Sequence, residues 1–224
     1  VAWGFTNSYG DFLDLVEVNT DPSKPGEVRT PAGWETPARH DETILVKDAP
    51  AEKFEVRTTS FGPVREAGGR RYAIHWIAHS AAAINLNPIK FETVDTLDAA
   101  LSTAATVGIP AQNFVAGDDK GNIGWTIVGA MAGRAQPGVG STFPISAANA
   151  GAGWQAPLAP EAYPVLRNPA GGQLSTANSR QLNGEGAKLI GDGGFDIGAR
   201  NRQARDGLAA LGNRADVAGV YGVA

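Results

Sequence analysis

The sequence predicts an α+β fold whose strands are mostly antiparallel. Apolar and polar residues alternate at 11–18 and 54–59, which is the period of a half-buried strand. Two other segments, at about 94–107 and from about Arg200 to Leu211, carry apolar residues at helical spacing. The resulting order is a strand-rich meander, a helix, a hairpin, a long loop and a second helix, which favours antiparallel pairing.

The composition supports one large domain and excludes several classes of function. The chain has 224 residues, of which 42% are hydrophobic and 19% charged, and five are Trp, so a sizeable core can form. The net charge of −4 and the lack of a basic run argue against a nucleic-acid partner. No apolar stretch is long enough for a membrane span, and no signal peptide is visible. Without Cys, disulfides, thiolate metal sites and cysteine catalysis are excluded.

Both ends of the sequence carry apolar residues where a domain terminus is usually polar. The chain starts Val-Ala-Trp-Gly-Phe and stops in the apolar run 216–224. We therefore expect residues 1–224 to be a single piece, an internal fragment of a longer chain.

The first half of the chain is predicted to be mainly β-structure. After the strand at 11–18, Ile44 to Val46 is predicted to be a short buried run. The strand at 54–59 places Phe54, Val56 and Thr58 on one face, and 71–78 is a further strand candidate.

The second half begins with the helix at about 94–107. Asp95 and Asp98 favour its N-terminal turn, and the Gly-Ile-Pro at 108–110 ends it. Residues 113–125 then predict a hairpin, with Asp, Lys, Gly and Asn at 119–122 supplying the turn. Residues 135–172 are expected to form a long ordered loop held by its aromatic and leucine side chains, and a short strand is predicted at about 173–177.

Asp14 is anomalous because the strand alternation places its carboxylate on an apolar face. A buried charge is costly unless it is paired or bound to a metal. Asp11 lies nearby, and two carboxylates with a carbonyl could begin a Ca²⁺ site. The alternatives are a bulge that lets Asp14 reach water, or an Arg partner.

The three His do not form a convincing metal motif. His75 and His79 are four residues apart, but the alternation at 71–78 favours a strand over a metal-binding helix, and no third ligand is evident. His40 is expected to lie in a polar loop and to be solvated.

Asn178 follows a Gly-rich approach and the predicted strand at 173–177. A side-chain amide held at a strand end can donate to a developing oxyanion. An Asx-turn explains the same residue without function, and from the residue alone it is the better interpretation.

Several ordered segments together resemble the β-chain of the penicillin acylase (penicillin amidase) family of N-terminal-nucleophile hydrolases. Each is weak alone, but their order and spacing fit over nearly the whole chain. They are Ala2–Asn7, Asp11–Asp14, Thr59–Val64, Gln112–Gly124, Gly129–Arg134, Asn168–Gly172 leading to Asn178, and Arg200.

The resemblance implies part of an αββα sandwich and a covalent mechanism. In this family a chain cleaves itself to expose an N-terminal Ser, which attacks an amide with its own α-amine as the base. By the resemblance, Asn178 is the oxyanion-hole amide, the main-chain N–H of Asn7 is the second donor, and Arg200 helps to order the site.

The resemblance also implies a substrate pocket and a metal. Phe5, Tyr9 and Gln112 match positions that line the acyl pocket. Asp11 and Asp14, with the carbonyl of Leu13, match ligands of a structural Ca²⁺, whose other ligands would come partly from outside the fragment. No organic cofactor is implied.

The sequence departs from the family pattern in three respects. The nucleophilic Ser belongs upstream of Val1, which has an amine but no hydroxyl. Ala132 stands where the family usually has Pro, and Gly117 replaces the usual Ala. Neither of these two changes removes a catalytic group.

The expected function is that of an acylase that cleaves a linear amide through a serine acyl-enzyme, with the fragment inactive alone. Its partners would be a small-molecule amide and the remainder of the same precursor, namely the α-chain and the N-terminal β segment. A periplasmic or secreted location follows from the resemblance only. The alternatives are a non-catalytic, Ca²⁺-stabilised ligand-binding domain on the same scaffold, or an acyl-homoserine-lactone or lipopeptide acylase.

Overall fold

The computed structural model describes residues 1–134, 144–149, 153–212 and 215–223. These residues form helices and mostly antiparallel sheets, which confirms the predicted fold class. The strands are β1 (Ala2–Asn7), β2 (Leu13–Glu17), β3 (Val28–Thr30), β4 (Gly33–Glu35), β5 (Ala38–Ile44), β6 (Glu52–Thr59), β7 (Gly62–Ala67), β8 (Arg70–Trp76), β9 (Gln112–Gly117), β10 (Ile123–Val128), β11 (Ala132–Gly133), β12 (Ile145–Ser146), β13 (Ala156–Pro157) and β14 (Leu166–Arg167). The α-helices are α1 (Leu97–Ala104), α2 (Gly184–Ile190), α3 (Ala199–Ala210) and α4 (Val217–Tyr221). Among the described helices, none combines the length and the apolar character that crossing a bilayer requires.

A four-stranded antiparallel sheet in the order β1-β9-β10-β14 carries much of the core. The predicted hairpin at 113–125 is confirmed as β9–β10. Its turn is closed by the Asp118 carboxylate, whose Oδ1 accepts the main-chain N–H groups of Lys120 at 3.0 Å and Asn122 at 2.9 Å. Gly121 has φ 83°, a left-handed conformation that favours Gly. The turn forms at the predicted residues 119–122, but Asp118, which the prediction did not include in the turn, closes it.

Helix α1 packs on this sheet and is shorter than the predicted 94–107. Thr96, rather than Asp95, caps it, because its Oγ1 accepts the main-chain N–H of Ala99 at 3.2 Å. Leu97 and Leu101 are buried against the sheet, and the Cδ1 atom of each lies 3.0 Å from where a Cβ on Gly124 would be. A side chain at position 124 would therefore push the helix away from β10.

A second sheet has six strands in the order β12-β2-β8-β7-β6-β5. The strands predicted at 11–18, 54–59 and 71–78 are confirmed as β2, β6 and β8. Every pairing in this sheet is antiparallel except that of β12 with β2. The site described below lies where the end of β1 leads into β2.

The prediction of a buried run at Ile44–Val46 is wrong. Ile44 is 49% exposed, Leu45 85% and Val46 38%. They lie at the end of the β5–β6 hairpin, and every residue of β5 is exposed. A short apolar run identifies a β-prone segment, but only its distance from the core decides whether it is buried.

The loop predicted at 135–172 is held by aromatic side chains, as expected, in the parts that the structure describes. The Trp154 ring stacks on His75 at 4.5 Å between centroids, and its Nε1–H donates to the carbonyl of His75 at 3.0 Å. The Tyr163 hydroxyl donates to the carbonyl of Gly129 at 2.9 Å and accepts the N–H of Met131 at 3.2 Å. Residues 135–143 and 150–152 lie outside the described residues.

The predicted strand at 173–177 does not form, and α2 follows where no helix was predicted. Residues 173–176 pair with no described strand, and at Ala177 (φ 38°) and Asn178 (φ 65°) the chain turns into the left-handed region. The predicted second helix is confirmed as α3, which begins one residue before Arg200 and ends at Ala210.

Candidate active site

The structure brings Asn178 and Asn7 together, although they are far apart in the sequence. The Asn178 Nδ2 atom donates to the main-chain carbonyl of Asn7 at 3.0 Å. Asn7 is the last residue of β1, a strand that has β9 on one side and no described strand on the other. Asn178 is half-buried and left-handed, a conformation that costs free energy unless surrounding contacts hold it. The two proposed oxyanion donors therefore belong to residues that are in direct contact.

Arg200 holds the Asn178 amide in one orientation. Its Nη2 atom donates to Asn178 Oδ1 at 2.9 Å and to Asp196 Oδ2 at 3.1 Å. A guanidinium can only donate, so the amide must present its oxygen to Arg200 and its NH₂ group to Asn7. One of the two amide hydrogens goes to the carbonyl of Asn7, which leaves the other for a bound group.

Asp196 anchors Arg200 from the other side. The main-chain N–H of Gly198 and the Arg200 guanidinium both donate to its carboxylate, which lowers the pKa of Asp196 below its ordinary value. The Asp196 N–H in turn donates to the Asn178 carbonyl at 3.1 Å. The three residues thus form a closed set of contacts around the amide.

Asn113 also contacts Asn7, and its importance was missed in the sequence. Its side chain is 2% exposed, and Nδ2 donates to the carbonyl of Asn7 at 2.9 Å and to Thr6 Oγ1 at 3.2 Å. Its Oδ1 accepts the Nε1–H of Trp125 at 3.0 Å. The sequence signal for it is a polar residue within an apolar strand, next to Gln112.

A largely apolar cavity of about 620 Å³ opens beside Asn7. Tyr9 borders it and is 44% exposed, whereas Phe5 and Gln112 are not among its lining residues. Phe5 is 55% exposed on β1, and Gln112 lies opposite Asn7 in the β1–β9 register. The apolar lining is completed by residues that the sequence did not single out, including Trp76, Ile77, Ala83, Ile109 and Pro110.

Asp14 is buried, as its position in β2 predicted, and its partner is Arg134. The Arg134 Nη1 atom donates to both Asp14 carboxylate oxygens, at 3.0 and 3.1 Å, and the N–H of Trp154 donates to Asp14 Oδ2 at 3.1 Å. Arg134 Nη2 donates to the carbonyl of Asp11 at 3.0 Å and lies 2.8 Å from Asp11 Oδ1. Of the alternatives open for Asp14, an Arg partner is the one that the structure contains.

Besides Asp14, the carboxylate of Asp192 lies near Asp11, and the sequence did not indicate this proximity. Burial raises the pKa of Asp11 to about 6; Arg134 opposes the rise, and the charges of Asp14 and Asp192 add to it. The Asp11 Oδ1 atom is buried and accepts no hydrogen bond in the described structure, because its contact with Arg134 lacks hydrogen-bond geometry. Two carboxylates, those of Asp11 and Asp14, therefore share the Arg134 guanidinium, and Asp192 adds a further negative charge nearby.

Close backbone packing brings Asp192 to this place. The N–H of Gly193 donates to the carbonyl of Tyr9 at 2.9 Å. A Cβ on residue 193 would lie 2.2 Å from the carbonyl oxygen of Gly10, so no other residue fits without movement. The Gly-Asp-Gly-Gly sequence at 191–194 was the signal that could have identified this approach.

His75 does not offer a metal ligand. Its Nδ1 lies 2.8 Å from the carbonyl of Phe61 and its Nε2 lies 3.0 Å from that of Trp154. Both ring nitrogens are thus engaged with acceptors. The described residues contain no group of three or more His, Cys, Asp or Glu side chains arranged to hold a metal ion.

Comparison with solved structures identifies the class of fold. The thermostable penicillin G acylase from Alcaligenes faecalis, in an orthorhombic form, matches with a TM-score of 0.76 and 18% identity, over 99% of this chain and 40% of that chain. The fold is therefore that of a penicillin acylase.

Sequence comparison identifies the family. The Penicillin amidase family model matches residues 1–220, and the chain belongs to the penicillin amidase family. The penicillin G acylase of Escherichia coli is 25% identical over 190 residues, which are 80% of this chain and 21% of that protein. The chain thus spans about a fifth of the length of this curated relative.

Proposed function

We propose that this chain provides the oxyanion site of a serine N-terminal-nucleophile amidohydrolase. The observation that carries the proposal is the 3.0 Å contact between Asn178 Nδ2 and the carbonyl of Asn7, with Arg200 fixing the amide orientation. Membership of the penicillin amidase family supports it. The chain covers 40% of the matched acylase structure, and the nucleophile would lie in a part of the parent protein outside residues 1–224.

The proposed reaction proceeds in two balanced steps. The serine Oγ attacks the carbonyl carbon of a linear amide, and its proton passes to the serine's own α-amine. The carbonyl oxygen becomes negative and accepts hydrogen bonds from the free Asn178 amide hydrogen and the main-chain N–H of Asn7. Collapse breaks the C–N bond, and the ammonium proton goes to the leaving amine. Water then attacks the acyl carbon and gives a proton to the α-amine. The bond from the acyl carbon to Oγ breaks, Oγ takes that proton back, and the carboxylic acid is released.

The cavity beside Asn7 would receive the acyl group. Its volume of about 620 Å³ is within the usual range for small-molecule pockets, and its lining is mainly apolar. An arylacetyl or a medium-length alkyl group would match this lining better than an anionic one, because the lining also includes Asp11 and Asp192. Tyr9 lies at the edge of the cavity. Phe5 and Gln112 do not line it, and they would contribute to the acyl pocket only together with other parts of the parent protein.

The test requires the parent protein with its upstream segment. Mass spectrometry should show self-cleavage that exposes an N-terminal Ser, and a serine-directed reagent should add to that residue. An Ala at that position should abolish both. Correctly folded parent protein that neither cleaves itself nor becomes labelled would contradict the proposal and favour a non-catalytic binding domain.

The same preparation distinguishes the acyl groups. Amides of one amine with phenylacetyl, octanoyl and succinyl groups should be hydrolysed with the first two well ahead of the charged third. Preference for the succinyl amide would show that the cavity does not bind the acyl group. Relative rates for phenylacetyl and octanoyl separate an arylacetyl acylase from one that acts on acyl-homoserine lactones or lipopeptides.

We also propose that the parent protein binds a structural Ca²⁺ through Asp11, the carbonyl of Leu13 and Asp14. Carboxylate and carbonyl oxygens are the donors that Ca²⁺ prefers. Asp11 Oδ1 accepts no hydrogen bond, and the carboxylates of Asp11 and Asp14 outnumber the one guanidinium that they contact, which fits a further cation at this place. Further ligands would come from other parts of the parent protein.

Calcium should stabilise the chelator-treated parent protein. At saturating Ca²⁺ we expect Tm to rise by at least roughly 3 °C, because a ligand that binds only the folded state adds its binding free energy. The Asp11→Asn variant should lose this rise, whereas Asp206→Asn, on the exposed face of α3, should keep it. An unchanged Tm in the wild type, or an equal rise in Asp11→Asn, would contradict the assignment.

The periplasmic or secreted location stays a prediction. Fractionation of cells that express the parent protein from its own gene would check it, and recovery in the cytoplasm alone would contradict it.

A further inference from the structure

We infer that Asn113 is a positioning residue for the oxyanion site, an inference that rests on the proposed function. Its side chain lies on β9, the strand paired with β1, and makes three hydrogen bonds while only 2% exposed. Both of its donor contacts go to Thr6 and Asn7. Asn113 therefore ties the catalytic end of β1 to the interior of the sheet.

The amide orientation of Asn113 is determined by its partners. The indole N–H of Trp125 can only donate, so it must face Asn113 Oδ1, and Nδ2 must then face β1. Trp125 is fully buried on β10, in the middle of a hydrophobic cluster. The rigid core of the sheet thus sets the position of the Asn113 NH₂ group.

The carbonyl of Asn7 is held from two directions. Asn113 Nδ2 lies 2.9 Å from it and Asn178 Nδ2 lies 3.0 Å from it. A carbonyl oxygen has two lone pairs, so these two amides together saturate it. The peptide that follows Asn7 cannot rotate without breaking at least one of these bonds.

The side chain of Thr6, the residue before Asn7, is held by Asn113 and Thr176. Its Oγ1 accepts from Asn113 Nδ2 at 3.2 Å and lies 2.9 Å from Thr176 Oγ1. The side chain before Asn7 and the carbonyl after its Cα are therefore both bound to Asn113. The Asn113 contacts fix the direction of the Asn7 main chain, and the contact of Thr6 with Thr176 ties this strand to the segment that carries Asn178.

If Asn113 only stabilised the fold, its replacement would lower Tm without changing kcat. Donors to an oxyanion act by being held at the correct place before the charge develops, and a misplacement of about 1 Å costs on the order of 10²-fold in rate. Loss of Asn113 should therefore lower kcat more than it changes KM, because the oxyanion forms after the substrate is bound.

The test compares Asn113→Asp, Asn113→Leu and Thr126→Val in the mature parent enzyme. Asn113→Asp keeps the shape and the acceptor for Trp125 but loses the donors to β1. Thr126 is a matched control: it is fully buried on β10 and its hydroxyl donates to the carbonyl of Pro164 at 2.8 Å, away from Thr6 and Asn7.

We expect both Asn113 variants to lower kcat by roughly 10- to 100-fold with KM within about twofold. Thr126→Val should lower Tm comparably and keep the wild-type kcat. In Asn113→Asp, the ratio of its kcat to the wild-type kcat should rise as pH falls, since a protonated carboxyl recovers one donor. Wild-type kcat in a folded Asn113 variant, or an equal loss of kcat in Thr126→Val, would overturn the inference.

A second measurement does not depend on activity. Amide hydrogen exchange at Asn7 and Ser8 should be faster in the Asn113 variants than in Thr126→Val. Unchanged exchange at both amides would overturn the positioning role, even for a variant with poor turnover. Failure of the proposed function would be distinct, because the wild-type parent would then show no acylase turnover at all.

Discussion

Replacing Asn178 by Ala in the parent enzyme should lower kcat by about 10²–10³-fold and leave KM nearly unchanged. This is the cost of removing one preorganised oxyanion donor, and it falls on the transition state because the negative oxygen does not exist in the bound substrate. In this chain the amide is preorganised by Arg200, which donates to its Oδ1 at 2.9 Å. Steady-state kinetics on a phenylacetyl amide would measure the effect.

The matched control for this experiment is Asn183→Ala. Asn183 is exposed at the start of α2, and its side chain makes no capping hydrogen bond. It should retain wild-type kcat and KM. A kcat within about threefold of wild type in folded Asn178→Ala would mean that Asn178 only shapes the turn, and a raised KM with unchanged kcat would assign it to substrate binding.

Replacing Asp14 by Ala should destabilise the parent protein by about 3–5 kcal/mol, because removal of one partner of a buried ion pair leaves an uncompensated charge. The Arg134 side chain is 6% exposed and that of Asp14 is 2% exposed. The substitution also leaves the N–H of Trp154 without its acceptor. Urea unfolding monitored by Trp fluorescence would measure the change in the free energy of unfolding.

An exposed ion pair supplies the control. Arg39 and Asp41 lie 2.9 Å apart with side chains 64% and 71% exposed, so Asp41→Ala should cost under about 1 kcal/mol. Repeating both measurements in excess chelator separates the ion pair from the proposed Ca²⁺ site. An Asp14→Ala effect that disappears in chelator would show that the metal, rather than Arg134, accounts for the stability.

Much of the fold could be predicted from local patterns. The alternation at 11–18 predicted both β2 and the burial of Asp14, because a strand exposes alternate residues to opposite faces. The turn residues at 119–122 predicted the β9–β10 hairpin, since their conformational preferences act within a few bonds. The prediction that Ile44–Val46 is buried was wrong because a local pattern carries no information about how far a segment lies from the core.

The candidate site depended on contacts between distant parts of the chain. Asn178 and Asn7 are 171 positions apart, Asn113 and Asn7 are 106 apart, and Arg134 and Asp14 are 120 apart. The family resemblance selected Asn178, Asn7 and Arg200, but it did not indicate which atoms meet. Asn113 was overlooked because an amide within an apolar strand is informative only when its partners are known.

The sequence by itself determined the fold class, the hairpin, the two main helices, the buried carboxylate and the family. Each of these depends on periodicity, on turn chemistry or on an ordered series of segments. All three are properties of the linear sequence. The tertiary structure decided that Arg134 pairs with Asp14, that Asp192 approaches Asp11, and that two amides meet at the carbonyl of Asn7. Those contacts form only when the sheets and the 191–194 segment pack, because hydrogen bonds and ion pairs act over a few ångströms in space, whatever the separation along the chain.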